Sequence, residues 1–359
     1  MELGTWDFAD LKSTESHIHR PNFEFLAMLY PLTFHPIFKE RVWGGRHLEG
    51  LYQKRLPASR PIGESWEITD RPEDVSVIAQ GPLAGKDLRW LMEHEALALL
   101  GTTPALNGRF PLLVKILDAQ ETLSLQVHPP ASVAAQLGGE PKAEMWYIAA
   151  TAPGAELFVG FKRGVTRAEF ERKINEQTVA DCVHRHTVRP GDAMFLPSGR
   201  IHAIGAGNVI FEIQQNADTT YRVFDWNRLG LDDQPRQLHV AQSLACIDFE
   251  DFEPPLIRGK FTGGAAVQVR ALVRDPLFTV DVCRAAPGEV APAGRAGVLR
   301  IIGMLGGRLV VRHRELEITL AAGEFCLLPA SLEQVTLRAE THVQFLRVQP
   351  GNSGLEFEL

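Results

Sequence analysis

The run Gly191-Asp-Ala-Met-Phe-Leu-Pro197-Ser-Gly-Arg-Ile-His202 reads as an apolar strand, a tight Pro/Gly turn and a histidine delivered just beyond it. Its first seven residues recur 132 positions later as Gly323-Glu-Phe-Cys-Leu-Leu-Pro329, with glycine, acid, apolar run and proline in register. A turn-strand-turn phrase of this kind is common grammar in β proteins, and one match of seven residues does not by itself make a repeat. Taken as a repeat, it predicts two barrels of one plan. The position matching His202 is then Gln334, so the second copy is expected to hold no metal.

Working outward, Gln126 and His128 are two apart in a strand-like run and therefore share a face. Glu144 opens a further strand-like run, Glu144-Met-Trp-Tyr-Ile148. A barrel can bring Gln126, His128, Glu144 and His202 to one mouth, where two imidazoles, a carboxylate and a carboxamide oxygen suit one divalent metal. Alone, a buried histidine is usually a hydrogen-bonded core residue and Gln126 a polar strand residue. Their joint placement carries the metal reading.

The remaining chain supports a mainly β protein. With 359 residues, it exceeds the roughly 250–300 at which single cores stop growing, which predicts two domains. Hydrophobic residues make up 45% and charged residues 23%, as in ordinary globular proteins. A net charge of −7 argues against nucleic-acid binding, so an anionic ligand needs a locally basic pocket. Cys182, Cys246, Cys283 and Cys326 form no CxxC pair and read as reduced thiols, which places the protein in the cytoplasm. No apolar run reaches membrane-spanning length. Helices are expected over Asp87–Leu100, Thr166–Gln177 and Leu238–Cys246. The domain plan is an extension at 1–27 with the isolated pair His17 and His19, a catalytic barrel with a small helical segment at 28–250, a linker at 251–264, and a degenerate second barrel at 265–359.

The Pro197-x-Gly199-x-x-His202 turn resembles the second signature of cupins, small metal-holding jelly-roll barrels. Leu123-Ser-Leu-Gln-Val-His-Pro129, Pro141-Lys-Ala-Glu-Met-Trp-Tyr147 and Gln215-Asn-Ala-Asp-Thr-Thr-Tyr-Arg-Val-Phe-Asp-Trp226 narrow the resemblance to type I mannose-6-phosphate isomerases of the short bacterial form. Pro36–Gly45 and Gly63-Glu-Ser-Trp-Glu67 are similar to that family too; the larger members' long helical insertion is absent. The resemblance implies two cupin-type barrels and zinc-dependent exchange of mannose 6-phosphate and fructose 6-phosphate through a cis-enediol. It puts one zinc ion on Gln126, His128, Glu144 and His202, with other divalent transition metals as alternatives. Lys115, Ser124, Lys142, Glu212, Arg222 and Arg228 match polar pocket positions, Arg228 standing where some relatives have lysine.

Read as residues, these positions keep alternatives. Glu212 lies in an apolar strand, where an unpaired carboxylate is costly; it is either ion-paired or a general base. Arg222 can clamp oxyanions bidentately or pair with Asp218 or Asp225. Lys142 shares a strand face with Glu144 and is a catalytic cation or a surface lysine. Lys115 sits in an apolar run and needs an anion; with Ser124 it is assigned to the substrate phosphate, and Arg228 joins them as a substrate-binding cation. Two other functions remain: an Fe(II) cupin oxygenase built on two histidines and a carboxylate, and a non-catalytic sugar-phosphate sensor. The partner in the first reading is a small sugar phosphate, with no nucleic acid or membrane; the oligomeric state stays open, a monomer among the options.

Overall fold

Runs of β-branched and aromatic residues, cut at short intervals by Gly and Pro, leave little room for helices, and strands dominate accordingly. The computed structural model describes residues 29–294 and 297–351. The extension at 1–27 lies outside the described residues, as do residues 352–359.

The first barrel contains β1 (Ile37–Gly45), β2 (Ile62–Ile68), the short ribbon β3 (Asp70–Arg71) and β4 (Asp74–Val75), β5 (Leu112–Ala119) and β6 (Leu125–Val127). It continues with β7 (Glu144–Thr151), β8 (Glu156–Phe161), β9 (Val183–Thr187) and β10 (Ala193–Leu196). It ends with β11 (His202–Ile204), β12 (Asn208–Gln215) and β13 (Tyr221–Phe224). A six-stranded antiparallel sheet in the order β1-β2-β5-β12-β7-β10 faces a five-stranded sheet ordered β13-β6-β11-β8-β9. Between them Leu117, Trp146, Ile148, Met194, Leu196 and Ile210 from the larger sheet meet Leu157, Val159 and Ile204 from the smaller.

The second barrel contains β14 (Thr262–Gly263), β15 (Val267–Arg274), β16 (Phe278–Ala285), β17 (Val290–Ala291) and β18 (Arg300–Gly306). Then come β19 (Arg308–His313), β20 (Leu316–Ala321), β21 (Phe325–Leu328), β22 (Thr336–Ala339) and β23 (Val343–Pro350). Its larger sheet runs β14-β15-β16-β23-β18-β21, repeating the first barrel's order strand for strand. The bounds of β10 and β21 are separated by the 132 residues of the sequence match. The interior is filled by Cys283, Ile302, Met304, Leu309, Val311, Cys326, Leu328 and Phe345.

The two six-stranded sheets pack against each other through their outer faces, where Phe211, Ile213 and Met145 join Phe278, Val280, Ile301, Phe325 and Leu346 in one core. At about 1.5–3 kcal/mol per fully buried large side chain, this contact binds the barrels firmly. Leu32 adds backbone hydrogen bonds to Leu327 in both directions, at 2.8 Å each. Residues in the expected linker also lie against the first barrel, with Ile257 N–H donating to the Ala193 carbonyl at 2.8 Å and Arg200 gripping Asp251 at 2.8 Å.

Helices are short. α1 (His47–Tyr52) precedes α2 (Leu88–His94) and α3 (Ala96–Leu100), followed by α4 (Ala131–Ala134), α5 (Arg167–Asn175) and α6 (Val240–Cys246). The helix expected over Asp87–Leu100 is broken at Glu95 (φ −130°, ψ 21°), and each half buries its own leucines. Asp87 and Thr166 cap α2 and α5 by accepting from the N–H groups of Trp90 and Glu169. No helix among the described residues is long and apolar enough to cross a membrane, and the four cysteines are free and buried.

Candidate metal centre and active cavity

Strand parity determines which side chains reach the interior of the first barrel. On β6 Leu125 and Val127 pack outward, leaving Gln126 to face in; on β11 Ala203 packs outward and His202 inward. His202 is paired with Gln126 across the sheet. The turn between β10 and β11 depends on Gly199, whose φ of +93° suits glycine and whose Cβ would meet the Cys246 carbonyl at 3.1 Å. Gly199 N–H donates to the His128 carbonyl at 2.9 Å, so the turn that presents His202 also rests on the other histidine.

His128 Nδ1–H donates to the Thr219 carbonyl at 2.8 Å and His202 Nδ1–H to the Arg200 carbonyl at 2.9 Å. Each ring therefore turns an unprotonated Nε2 toward Glu144. His128 Nε2 is 3.4 Å from Glu144 Oε2, and His202 Nε2 is 3.4 Å from Oε1. The three groups offer ligand atoms within 4.8 Å of one another, all buried. His128 Nε2 and both Glu144 oxygens have no hydrogen-bond partner. Buried polar atoms without partners are expensive, and converging N, N and O donors with no proton between them fit a divalent metal ion.

Protonation states agree with that fit. Burial first, then the Lys142 ammonium, pulls His128 down to about 3. Burial likewise lowers His202. For Glu144 burial acts upward, but Lys142 and the two imidazoles outweigh it and hold the carboxyl well below its usual range. Gln126 is adjacent, with Nε2 3.4 Å from His202 Nε2 and Oε1 accepting from Ser124 at 3.1 Å. A half-turn of its carboxamide would point Oε1 at the cluster.

A cavity of about 540 Å³ opens beside this cluster. Gln126, Ser124, Lys115, Lys142, Glu212 and Arg222 all line it. Facing strands of the larger sheet put Trp66, Lys115, Glu212 and Trp146 in one row across β2, β5, β12 and β7. Glu212 Oε1 is 3.2 Å from Lys115 Nζ, and Oε2 accepts from Trp146 Nε1 at 2.9 Å. Burial, followed by the nearby Glu144 charge, raises the Glu212 pKa despite the opposing pull of Lys115 and Lys142.

Lys115 also lies 3.9 Å from Glu64, and both carboxylates push its pKa up against the effect of burial. The lysine expected at the substrate phosphate is 3% exposed and already matched by two anions. Replacing it, as in Lys115→Met, is expected to destabilise the fold by about 3–5 kcal/mol, the usual cost of leaving one side of a buried ion pair. The denaturation midpoint checks this; an unchanged midpoint would show that its charge is not structurally matched.

Arg222 donates through Nη1 to the Gln237 carbonyl at 2.7 Å, and its Nε is buried without a partner. Arg228 stands apart from the cavity lining: it binds Asp225 at 2.8 Å and the Thr122 carbonyl at 2.6 Å. Arg236 shares Asp225 and does line the cavity. Neither Arg236 nor the Glu64–Arg41 pair was singled out from sequence for a role. Glu64, held down at about 2 by Lys115 and Arg41 against burial, carried the same signal as Glu212, an acid among Ile62, Trp66 and Ile68.

The second barrel has no equivalent cluster among the described residues. Leu196 pairs with Glu144, and its repeat partner Leu328 pairs with Arg300. A buried guanidinium thus stands where the first barrel has its carboxylate, donating to the Leu332 carbonyl at 3.1 Å. Likewise Glu212 pairs with Lys115, and its counterpart Arg347 pairs with Asp281, the charges exchanged.

Comparison with known proteins agrees with this architecture. Residues 32–143 match the family described as phosphomannose isomerase type I, catalytic domain. A Bacillus subtilis protein named as a probable mannose-6-phosphate isomerase, GmuF, is 33% identical over 316 residues, covering 86% of this chain and 96% of that one. The mannose-6-phosphate isomerase of Streptococcus mutans is 32% identical over 309 residues, 85% and 94% of the two chains. The crystal structure of the mannose 6-phosphate isomerase from Bacillus subtilis superposes with a TM-score of 0.81 at 29% identity, covering 89% of this chain and 99% of that one. The chain therefore belongs to the type I phosphomannose isomerases, with the mainly β, two-barrel cupin architecture of that family.

Proposed function

We propose that the protein interconverts mannose 6-phosphate and fructose 6-phosphate, on a metal ion held by His128, Glu144 and His202 with Gln126 as fourth ligand. The observation that carries the reading is the buried cluster of His128, Glu144 and His202, in which His128 Nε2 and both Glu144 oxygens have no hydrogen bond, opening onto a cavity lined by Lys142, Arg222 and Glu212. Bound there, the ion supplies Lewis-acid stabilisation of negative charge developing on the sugar oxygens. We assign it as zinc, which takes mixed nitrogen and oxygen ligands with little geometric demand, one per chain.

Aldose–ketose exchange moves a proton between C1 and C2 of the sugar. Glu212 is our candidate base: burial raises its pKa above the ordinary carboxylate value, and Lys115 and Trp146 hold its two oxygens while each keeps a free lone pair. Lys142, 3.4 Å from Glu144 and facing the cavity, can donate to a developing enediolate oxygen. Arg222, anchored through one nitrogen on Gln237, offers the rest of its guanidinium to substrate oxyanions. Ser124 contributes a hydroxyl to the substrate beside Gln126. Arg228 acts through Asp225, which it shares with Arg236, in place of touching substrate. The second barrel is structural, Arg300 taking the position of a metal ligand with a cation of its own. Four free buried thiols support a cytoplasmic location, and a single chain contains every group invoked.

The deciding experiment is turnover of mannose 6-phosphate before chelation, after chelation and after zinc is restored. Activity is expected to vanish with the metal and to return with zinc under anaerobic conditions. Oxygen consumption during turnover would overturn the reading in favour of an oxygenase.

A further inference from the structure

A second cavity, about 600 Å³ in volume, lies where the first barrel's leading strand, α1 and β2 meet β20 and β21 of the second barrel. Nothing in the isomerase reading uses it. Its walls carry four aromatic rings, Phe34, Phe38, Tyr52 and Phe325, the first three only half-buried. Tyr52 sits edge-on to Phe211 at 5.6 Å, and Phe211 packs against Phe325 at 5.5 Å, so the rings are fixed by the inter-barrel core.

Among these rings lies a buried ion pair. Lys54 Nζ contacts Glu67 at 2.6 Å, with side-chain exposures of 8% and 5%. Ser65 Oγ–H also donates to Glu67 at 2.6 Å, and both bonds end on Oε1. The pair therefore keeps N–H groups on Lys54 and the Oε2 acceptor on Glu67, side by side. Parity on β2 explains the separation from the active cavity: Glu64 lines the first cavity, and Glu67 lines this one. Left-handed Gln53 (φ 52°) ends α1 and leads directly into Lys54 and Arg55, which join the lining. The exposed Arg55 guanidinium has no partner among the described residues.

We infer that this cavity binds a monosaccharide, neutral or phosphorylated, at a site distinct from the metal centre. A donor beside an acceptor reads two adjacent hydroxyls, one accepting from the ammonium and one donating to the carboxylate. Aromatic walls cover the apolar face of the ring, and a concave site mixing such walls with a few converging polar groups is the usual form of a small-molecule pocket. Arg55 is placed to add a phosphate contact. The inference does not depend on the isomerase reading.

The test is calorimetric titration of the metal-loaded protein with D-mannose, and with a pre-equilibrated mixture of mannose 6-phosphate and fructose 6-phosphate. Two equivalents per chain are expected for at least one of them. Glu67→Gln is expected to weaken the second equivalent by roughly ten- to hundredfold, the range for a hydrogen bond to a charged group, with kcat unchanged. Thr319→Trp, a substitution at an exposed cavity-lining position, is expected to block the second equivalent without disturbing the buried pair. A single equivalent in the unaltered protein, or two undiminished equivalents in Thr319→Trp, overturns the proposal. Arg55→Ala separates the sources: loss confined to the sugar phosphates identifies a phosphorylated ligand, and no loss identifies a neutral sugar. Turnover measured on the same variants shows independently whether the first cavity is intact.

Discussion

Metal content is expected to fall from one equivalent per chain to near zero in His128→Ala and in His202→Ala, and turnover of mannose 6-phosphate to fall with it. Either change removes an Nε2 that is oriented by its Nδ1–H bond to a backbone carbonyl. Losing only such an outer partner typically costs 10–100-fold in metal affinity, so losing the ligand itself is expected to cost more. Glu144 would then retain one imidazole neighbour and the Lys142 ammonium, a poorer site for a dication. Arg300→Met in the second barrel provides the contrast. It removes the guanidinium at the position of Glu144 but none of the proposed ligands, so one equivalent of metal should remain. Elemental analysis of purified variants checks all three. Full occupancy in both histidine variants would remove the site assignment, and loss of metal in Arg300→Met would place an ion in the wrong barrel.

Glu212→Gln is expected to keep its metal and fold and to lose kcat by roughly two to four orders of magnitude, the range for removing general acid–base catalysis. The amide preserves shape and accepts from Trp146 or Lys115 through its oxygen, but it cannot take a proton from C2. Hydrogen exchange at C2, followed in deuterated solvent, should drop in parallel. The pH profile provides a second reading. Glu212 must be deprotonated to act, and burial raises its pKa, so kcat/KM should fall with decreasing pH through a limb above the ordinary carboxylate range. That limb should be missing from the residual activity of Glu212→Gln. If C2 exchange persists at normal rates, the base is another group lining the cavity. If the metal is lost, Glu212 supports the coordination shell. Lys115→Met differs from both because it disturbs stability first.

Much of this was legible in the linear chain because strand parity is local. Two residues of separation placed Gln126 beside His128 on one face of a run, and the Pro-x-Gly turn announced His202. The 132-residue repeat anticipated two barrels of one plan, since the match covers one strand and both its turns. The helix start at Thr166 was visible because a cap is a local hydrogen bond, and the helix from Asp87 because its apolar residues recur at helical spacing. The break at Glu95 was not, because apolar spacing continues unbroken across it.

Pairing between strands belongs to the tertiary structure. Which carboxylate meets Lys115 depended on its partner across β5 and β12, 97 residues away in the chain, and that partner is Glu212. The same holds for Arg228, which meets Asp225 alongside Arg236 from further along the chain. Arg300 has nothing nearby to mark it as the counterpart of Glu144; only the register of β18 with β21 makes it so. Charge type and strand parity are written residue by residue. Hydrogen-bond register joins residues far apart in the chain, and it determines which charges meet.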